Sequence, residues 1–171
     1  MVLGLSAPMT VSAEHHETTP QESIDKIEGT YAGTFLCSLG EMGMTLSLKD
    51  GGIFTPSDFA GNPCRSGLGK CNDNFAIAHK GKRKTSGVIN FFPTVGNPTA
   101  PQGAFEVSGW VNYTSKRFNR MELEPGDWIS QPDNFGSAAM TGTLINGTIS
   151  GKPTAPGCHD LTLQKVLTAS E

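Results

Sequence analysis

The sequence predicts an all-β protein: a small antiparallel up-and-down barrel of about eight strands, tied by disulfides, with a β-sandwich as the alternative. Gly and Pro account for 21 and 11 of the 171 residues and divide the chain at short intervals. Between them, apolar and polar side chains alternate with the period of a strand. Charged residues make up only 17% of the chain, against about 25% in an ordinary soluble domain. Thr and Ser supply much of the remaining polarity.

The same composition excludes other classes of protein. No apolar run in the sequence approaches the roughly 20 residues that a membrane-spanning helix needs. A formal net charge of -3 argues against a globally basic nucleic-acid binder. Because 36% of the residues are apolar, disorder throughout the chain is not expected, and the length suits one domain with a core.

The first 28 residues are predicted to precede the barrel domain. Val11-Ser12-Ala13 has the small-residue spacing of a secretory cleavage site, so residues 1–13 are interpreted as a signal-peptide remnant, with an ordinary flexible terminus as the alternative. Residues 14–28 are interpreted as a polar tail or linker. Cleavage after Ala13 would place His16 third from a free α-amino group, with His15 beside it. Such a terminus can bind Cu(II) or Ni(II) in a square plane; the alternative is a solvated tail.

The domain is predicted to span residues 29–167, with an irregular insertion at 53–86. Two alternating segments, Thr30–Cys37 and Met44–Lys49, are predicted strands separated by a turn at Gly40–Gly43. A hairpin over residues 75–79 and 86–92 is expected around a basic turn at residues 80–84.

The second half of the domain is predicted to consist of hairpins. Residues 104–113 and 118–123 form one pair, and Glu124–Asp127 breaks the ladder before a loop at 128–132. Asn146-Gly147, between the segments 137–145 and 148–152, is the strongest short hairpin signal. The last strand is expected over residues 158–167.

Four cysteines, an even number, indicate a disulfide framework. They allow three connectivities. Cys37 and Cys158 lie in the first and last predicted strands, and Cys64 and Cys71 enclose a short loop with two glycines. We therefore predict the pairs Cys37–Cys158 and Cys64–Cys71, with four free thiols as the alternative. Disulfides indicate an oxidising compartment, which points to the periplasm or the exterior.

Two groups of residues are candidates for binding a partner. Lys80, Lys82, Arg83 and Lys84 could attract a phosphate, a sulfated glycan or an acidic protein surface; the alternative is a solvated hairpin tip. The aromatic residues could stack on sugars or fill a pocket of a partner, or could instead plug the barrel. Trp128, in a loop flanked by prolines, is predicted to be the best exposed of them. These aromatic residues are Trp110, Tyr113, Trp128 and Phe135.

An ordered set of short motifs resembles an uncharacterised small β domain of bacterial envelope and secreted proteins. That domain occurs alone or attached to caspase-like peptidase domains. The resemblance covers residues 29–166 apart from 53–86, implies the pair Cys37–Cys158, and brings no activity with it. The motifs are the segment Gly29–Cys37, the segment Gly43–Leu48, Gly103-Ala-Phe105 with Gly109, Trp128-Ile129-x-x-Pro132, Gly142 with Gly151, and Pro156-Gly157-Cys158.

A weaker likeness is to periplasmic inhibitors of c-type lysozyme, small barrels whose first strand is tied to the last. The Ser-Gly-x-x-Tyr loop of those inhibitors does not occur in this sequence. The nucleophile elbow G-x-S-x-G is missing as well, and bridged cysteines are not nucleophiles. The sequence therefore predicts a non-enzymatic periplasmic or secreted module that binds a protein or glycan, but no nucleic acid and no cofactor. The alternative is an inhibitor or immunity protein against a cell-wall hydrolase or toxin.

Overall fold

The computed structural model describes residues 26–55, 58, 81–112 and 119–167, and it confirms the predicted barrel. Each strand pairs antiparallel with the next, and β8 pairs with β1, so that the sheet closes on itself. Closure leaves the barrel without the open edges that two separate sheets of a sandwich would have. The strands are β1 (Gly29–Cys37), β2 (Gly40–Ile53), β3 (Lys82–Pro93), β4 (Gly103–Asn112), β5 (Asn119–Ser130), β6 (Met140–Ile145), β7 (Thr148–Pro153) and β8 (His159–Lys165).

A disulfide between Cys37 and Cys158 joins the end of β1 to the residue before β8, as predicted. Its position defines two ends of the barrel. The disulfide end carries the connections that follow β1, β3, β5 and β7. The opposite end carries residues 26–28, the turn between β6 and β7, and residues 166–167. A structural disulfide of this kind is typical of proteins from oxidising compartments.

The barrel interior is filled by side chains from alternate positions of every strand, as the alternation in the sequence predicts. Some positions facing the interior have no room for a side chain. A Cβ atom added to Gly109 would lie only 1.9 Å from the carbonyl oxygen of Glu122 on the neighbouring strand. Glycine at that position therefore allows β4 and β5 to approach closely.

The opposite end is closed by the segment that leads into β1. Ile27 is 1% exposed and Tyr31 is fully buried. The Tyr31 hydroxyl donates a hydrogen bond to the carbonyl oxygen of Ile27 at 2.8 Å. Two large side chains and one buried hydrogen bond thus fill the barrel interior at this end. An open cleft of about 470 Å³, with Ile27 and Arg83 in its lining, lies outside them.

β2 and β5 are longer than the sequence predicted, whereas β6 and β8 are shorter. The predicted turn at Gly40–Gly43 lies within β2, because Ser38-Leu39 already makes the turn after β1. β5 continues through Glu124–Asp127, where its pairing with β4 shifts register twice. Pro125 is tolerated there because the pairing of β5 with β6 ends at Leu123, so no ladder bond on that side needs its missing N–H.

The turn between β6 and β7 confirms the prediction from Asn146-Gly147. Both residues have positive φ, 49° and 75°, as a two-residue type I′ turn requires. Residues 137–139, in contrast, precede β6 and are not part of a strand.

Several predictions fall on residues outside the described ranges. They are the signal-peptide remnant over 1–13, most of the polar tail, the metal-binding terminus at His15 and His16, the pair Cys64–Cys71, and Lys80.

Candidate binding surface

The basic residues predicted at a hairpin tip lie in β3 instead. Lys82, Arg83 and Lys84 pair with Asn112, Val111 and Trp110 of β4, so the prediction of a turn over these positions is wrong. Strand geometry then separates the three side chains, because neighbours along a strand point to opposite faces. Lys82 and Lys84 lie on the outer face of the barrel, and Arg83 faces inward with Thr85.

Trp110 lies between two cations on the outer wall. The Lys82 ammonium nitrogen is 3.5 Å from the centre of the Trp110 ring, and the Arg120 guanidinium carbon is 6.0 Å from it. Both distances fall within the range of cation–π attraction. Glu122 pairs with Trp110 across β4 and β5. We call the five residues Lys82, Lys84, Trp110, Arg120 and Glu122 the Trp110 platform.

The ammonium of Lys82 is partly buried and has Glu122 and Arg120 nearby. Partial burial of the ammonium is the largest cause and lowers the pKa of Lys82; Glu122 opposes this effect and the nearby Arg120 adds to it. A partly desolvated cation has already lost part of its hydration, so a new anionic contact would cost it less water. The platform is therefore prepared for a negatively charged group.

Arg83 is engaged in a structural ion pair. Its Nε lies 3.0 Å and its Nη2 2.5 Å from Oδ2 of Asp50. Burial opposes ionisation of Asp50, but hydrogen bonds from the Arg83 side chain and from the Gly52 N–H outweigh it and lower the pKa of the carboxyl. The Arg83 charge is thus used inside the protein, and the prediction that Arg83 binds a partner receives no support from this geometry.

Lys84 bonds to an acid from the connection after β2. Its ammonium donates a hydrogen bond to Oδ1 of Asp58 at 2.6 Å, while the Thr55 N–H and hydroxyl both donate to Oδ2. The hydrogen bond from Lys84, then those from Thr55, lower the pKa of Asp58 to about 2. Lys82 and Arg120 are therefore the platform cations best placed to meet a partner.

Trp128 lies at the other end of the barrel. It packs edge-on against Phe105 and Phe91, with ring centres 5.1 Å and 6.2 Å away. It is partly buried against the core, as expected of the alternative in which aromatic residues plug the barrel. The structure therefore does not bring Trp128 together with the basic residues.

Arg120 and Glu122 are the members of the platform that the sequence argument missed. The sequence predicted that residues 104–113 pair with residues 118–123. If pairs are counted from the connection between these two segments, Arg120 falls near Trp110. A lone arginine in an alternating segment gives no other signal.

Two kinds of feature are absent from the described part of the chain. Within it, no group of three or more His, Cys, Asp or Glu side chains could hold a metal ion. The described residues also contain no helix that is long and apolar enough to cross a membrane. No protein-family model matches the chain, and searches of curated proteins and of solved structures find no similar protein.

Proposed function

We propose that the protein is a non-enzymatic binding module of the periplasm or the cell exterior, and that it recognises an acidic protein surface through the Trp110 platform. The observation that carries this proposal is the position of Trp110 between Lys82 and Arg120. Trp and Arg are enriched among the few residues that supply most of the binding energy at protein interfaces.

A protein partner fits the platform better than a glycan does. A sugar that stacks on Trp110 needs a free ring face, whereas Lys82 and Arg120 both lie over the ring, at 3.5 Å and 6.0 Å from its centre. Carboxylates of a protein partner could instead contact the outward-facing Lys82 and Arg120 while apolar groups cover the edge of the ring. The platform also lies on regular strands, which hold such side chains in fixed positions.

The proposal can be tested with two double variants of equal charge. Lys82→Ala/Arg120→Ala removes the two platform cations best placed to meet a partner, and Lys49→Ala/Lys152→Ala removes two exposed lysines that are not part of the platform. Retention on immobilised poly-L-glutamate should weaken about tenfold for the first variant, the effect of roughly 1.4 kcal/mol of lost binding energy. It should change less than about twofold for the second.

Two outcomes would contradict the proposal. Equal losses in both variants would mean that binding reflects net charge alone. The second outcome is stronger retention on a heparin oligosaccharide than on poly-L-glutamate, provided that it is lost in the Lys82→Ala/Arg120→Ala variant. It would assign the platform to a sulfated glycan instead. Thermal unfolding of each variant is the control that separates a loss of binding from a loss of the folded state.

A further inference from the structure

The disulfide end contains a partly enclosed cavity that the aromatic residues do not fill. Its volume is about 50 Å³ and its walls are almost entirely apolar. The residues that shape it include Phe35, Ile89, Phe91, Phe105, Met140 and Phe135. Well-packed interiors contain few voids of this size, so the cavity marks a place where packing is incomplete.

Phe135 and the small residues after it form the cover of this cavity. Phe135 stacks on Phe91, with ring centres 5.3 Å apart and an interplanar angle of 24°. On the outer side of the same cover lies an open groove of about 590 Å³, which shares Cys37, Phe135, Ala139 and Cys158 with the inner cavity. The segment around Phe135, together with the disulfide and Ala155, therefore separates the cavity from the groove.

The cover lies outside the strands and is held at its two ends. The Phe135 N–H donates to the carbonyl oxygen of Pro132 at 3.2 Å, and the carbonyl oxygen of Ala139 accepts from the Thr154 N–H at 2.8 Å. Between these bonds lie Gly136, Ser137 and Ala138. A Cβ atom on Gly136 would have no neighbour within 4 Å, so the chain has space to move at that point.

The size of the site limits what it can bind. An engineered apolar cavity of roughly 150 Å³ is known to take a benzene molecule. The existing 50 Å³, joined with the space now occupied by the Phe135 ring, approaches that scale. One ring, or the end of an unbranched alkyl chain, would therefore fit where Phe135 now lies.

The groove indicates which head group such a ligand carries. Uncharged polar side chains line it, including Ser38, Ser137 and Thr154, together with the carboxylate of Glu124. A carboxylate head would be repelled by Glu124, whereas hydroxyl groups can exchange hydrogen bonds with Ser and Thr. We propose that the disulfide end binds a neutral amphiphile, whose apolar end displaces Phe135 and enters the barrel while its hydroxylated head stays in the groove.

The two tryptophans of the chain make the proposal measurable. Trp128 packs against Phe105 and Phe91, two rings that line the cavity. Trp110 lies near the opposite end on the outer wall. A Trp110→Phe background therefore leaves Trp128 as the single tryptophan. The probe is 11-bromoundecanol, whose bromine quenches tryptophan fluorescence on contact. Saturable quenching is expected in this background, with weaker binding of 11-bromoundecanoate at pH 8.

Removal of the cover tests whether Phe135 is displaced. In the same background, Phe135→Ala should bind 11-bromoundecanol at least about fivefold more tightly, because the ligand no longer competes with the ring. Ile129→Ala, which removes an exposed apolar side chain from the same end, should leave the affinity unchanged. If Phe135→Ala does not fold, Phe135→Leu, with a smaller plug, should show the same direction.

Three results would overturn the proposal. The first is no quenching by 11-bromoundecanol up to its solubility limit. The second is weaker binding in the Phe135 variants, which would make Phe135 a contact of a surface site. The third is equal or tighter binding of the carboxylate probe. None of these results depends on the Trp110 platform, since the background lacks that tryptophan.

Discussion

The two ends of the barrel are closed in different ways. At the opposite end, Ile27 and Tyr31 are almost completely buried and joined by a hydrogen bond. At the disulfide end, Phe135 is only partly buried and covers a cavity. One end is therefore sealed by packing, whereas the other depends on a covalent bond beside a loosely packed cover.

Charge follows the same division. The basic side chains at or near the opposite end include Lys26, Lys82, Arg83, Lys84, Arg120 and Lys165, and the acidic ones at or near the disulfide end include Glu41, Glu106, Asp127, Asp133 and Asp160. A sealed end can present a binding surface only on its outside, and there the cations surround Trp110. A loosely packed end can also offer its interior, so the contrast accounts for two different proposed ligands.

The largest expected effect is that of removing the disulfide. Cys37→Ala/Cys158→Ala opens a loop of 121 residues, for which the chain-entropy relation gives about 4–5 kcal/mol of lost stability. Urea unfolding should show this loss as a lower midpoint. If the two ends differ as described, amide hydrogen exchange should accelerate first in residues 131–139 and last around Tyr31.

Loss of the cross-link lowers the global stability, so amides that exchange only by global unfolding should accelerate at both ends. An acceleration in residues 131–139 that is no larger than the one around Tyr31 would contradict the comparison. The wild-type protein with its disulfide reduced is the matched control. It keeps both sulfur atoms in place and should behave like the double variant.

The sequence predicted the features that depend on local patterns. Asn146-Gly147 specified its turn because few pairs of residues adopt positive φ at both positions. The alternation of apolar and polar residues indicated the strands. The pair Cys37–Cys158 followed from its place in the first and last of those strands.

The features that local patterns could not reveal depend on distant partners. Lys82 to Lys84 were predicted to form a turn because three consecutive charges hide the alternation of a strand, although the pairing with β4 continues through them. Trp128 was predicted to be exposed because prolines flank it, yet Phe91 and Phe105, far away in the sequence, partly bury it.

A smaller effect is expected from truncating the two plugs. Ile27→Ala should cost about 2–4 kcal/mol, since it removes a side chain that is almost completely buried. Phe135→Ala should cost only about 1–2 kcal/mol despite its larger side chain, because the residue is partly exposed and its segment can move. Urea titrations of the two variants check the order, and an equal or larger cost for Phe135→Ala would show that both ends are packed alike.

The smallest expected effect is the stability that the Asp58–Lys84 ion pair contributes, which is lost in acid. The pKa of Asp58 is lowered from 3.8 to about 2, so its pairing with Lys84 stabilises the folded state above pH 4 and is lost as the pH falls through 2. Burial opposes the ionisation of Asp50, but the hydrogen bond from Arg83 helps to lower the pKa of that carboxyl as well.

A double-mutant cycle of Asp58→Asn and Lys84→Gln isolates the interaction between Asp58 and Lys84. The coupling from urea midpoints should be measurable at pH 7 and absent below pH 2. A coupling that persists there would mean that the two side chains interact through packing rather than charge.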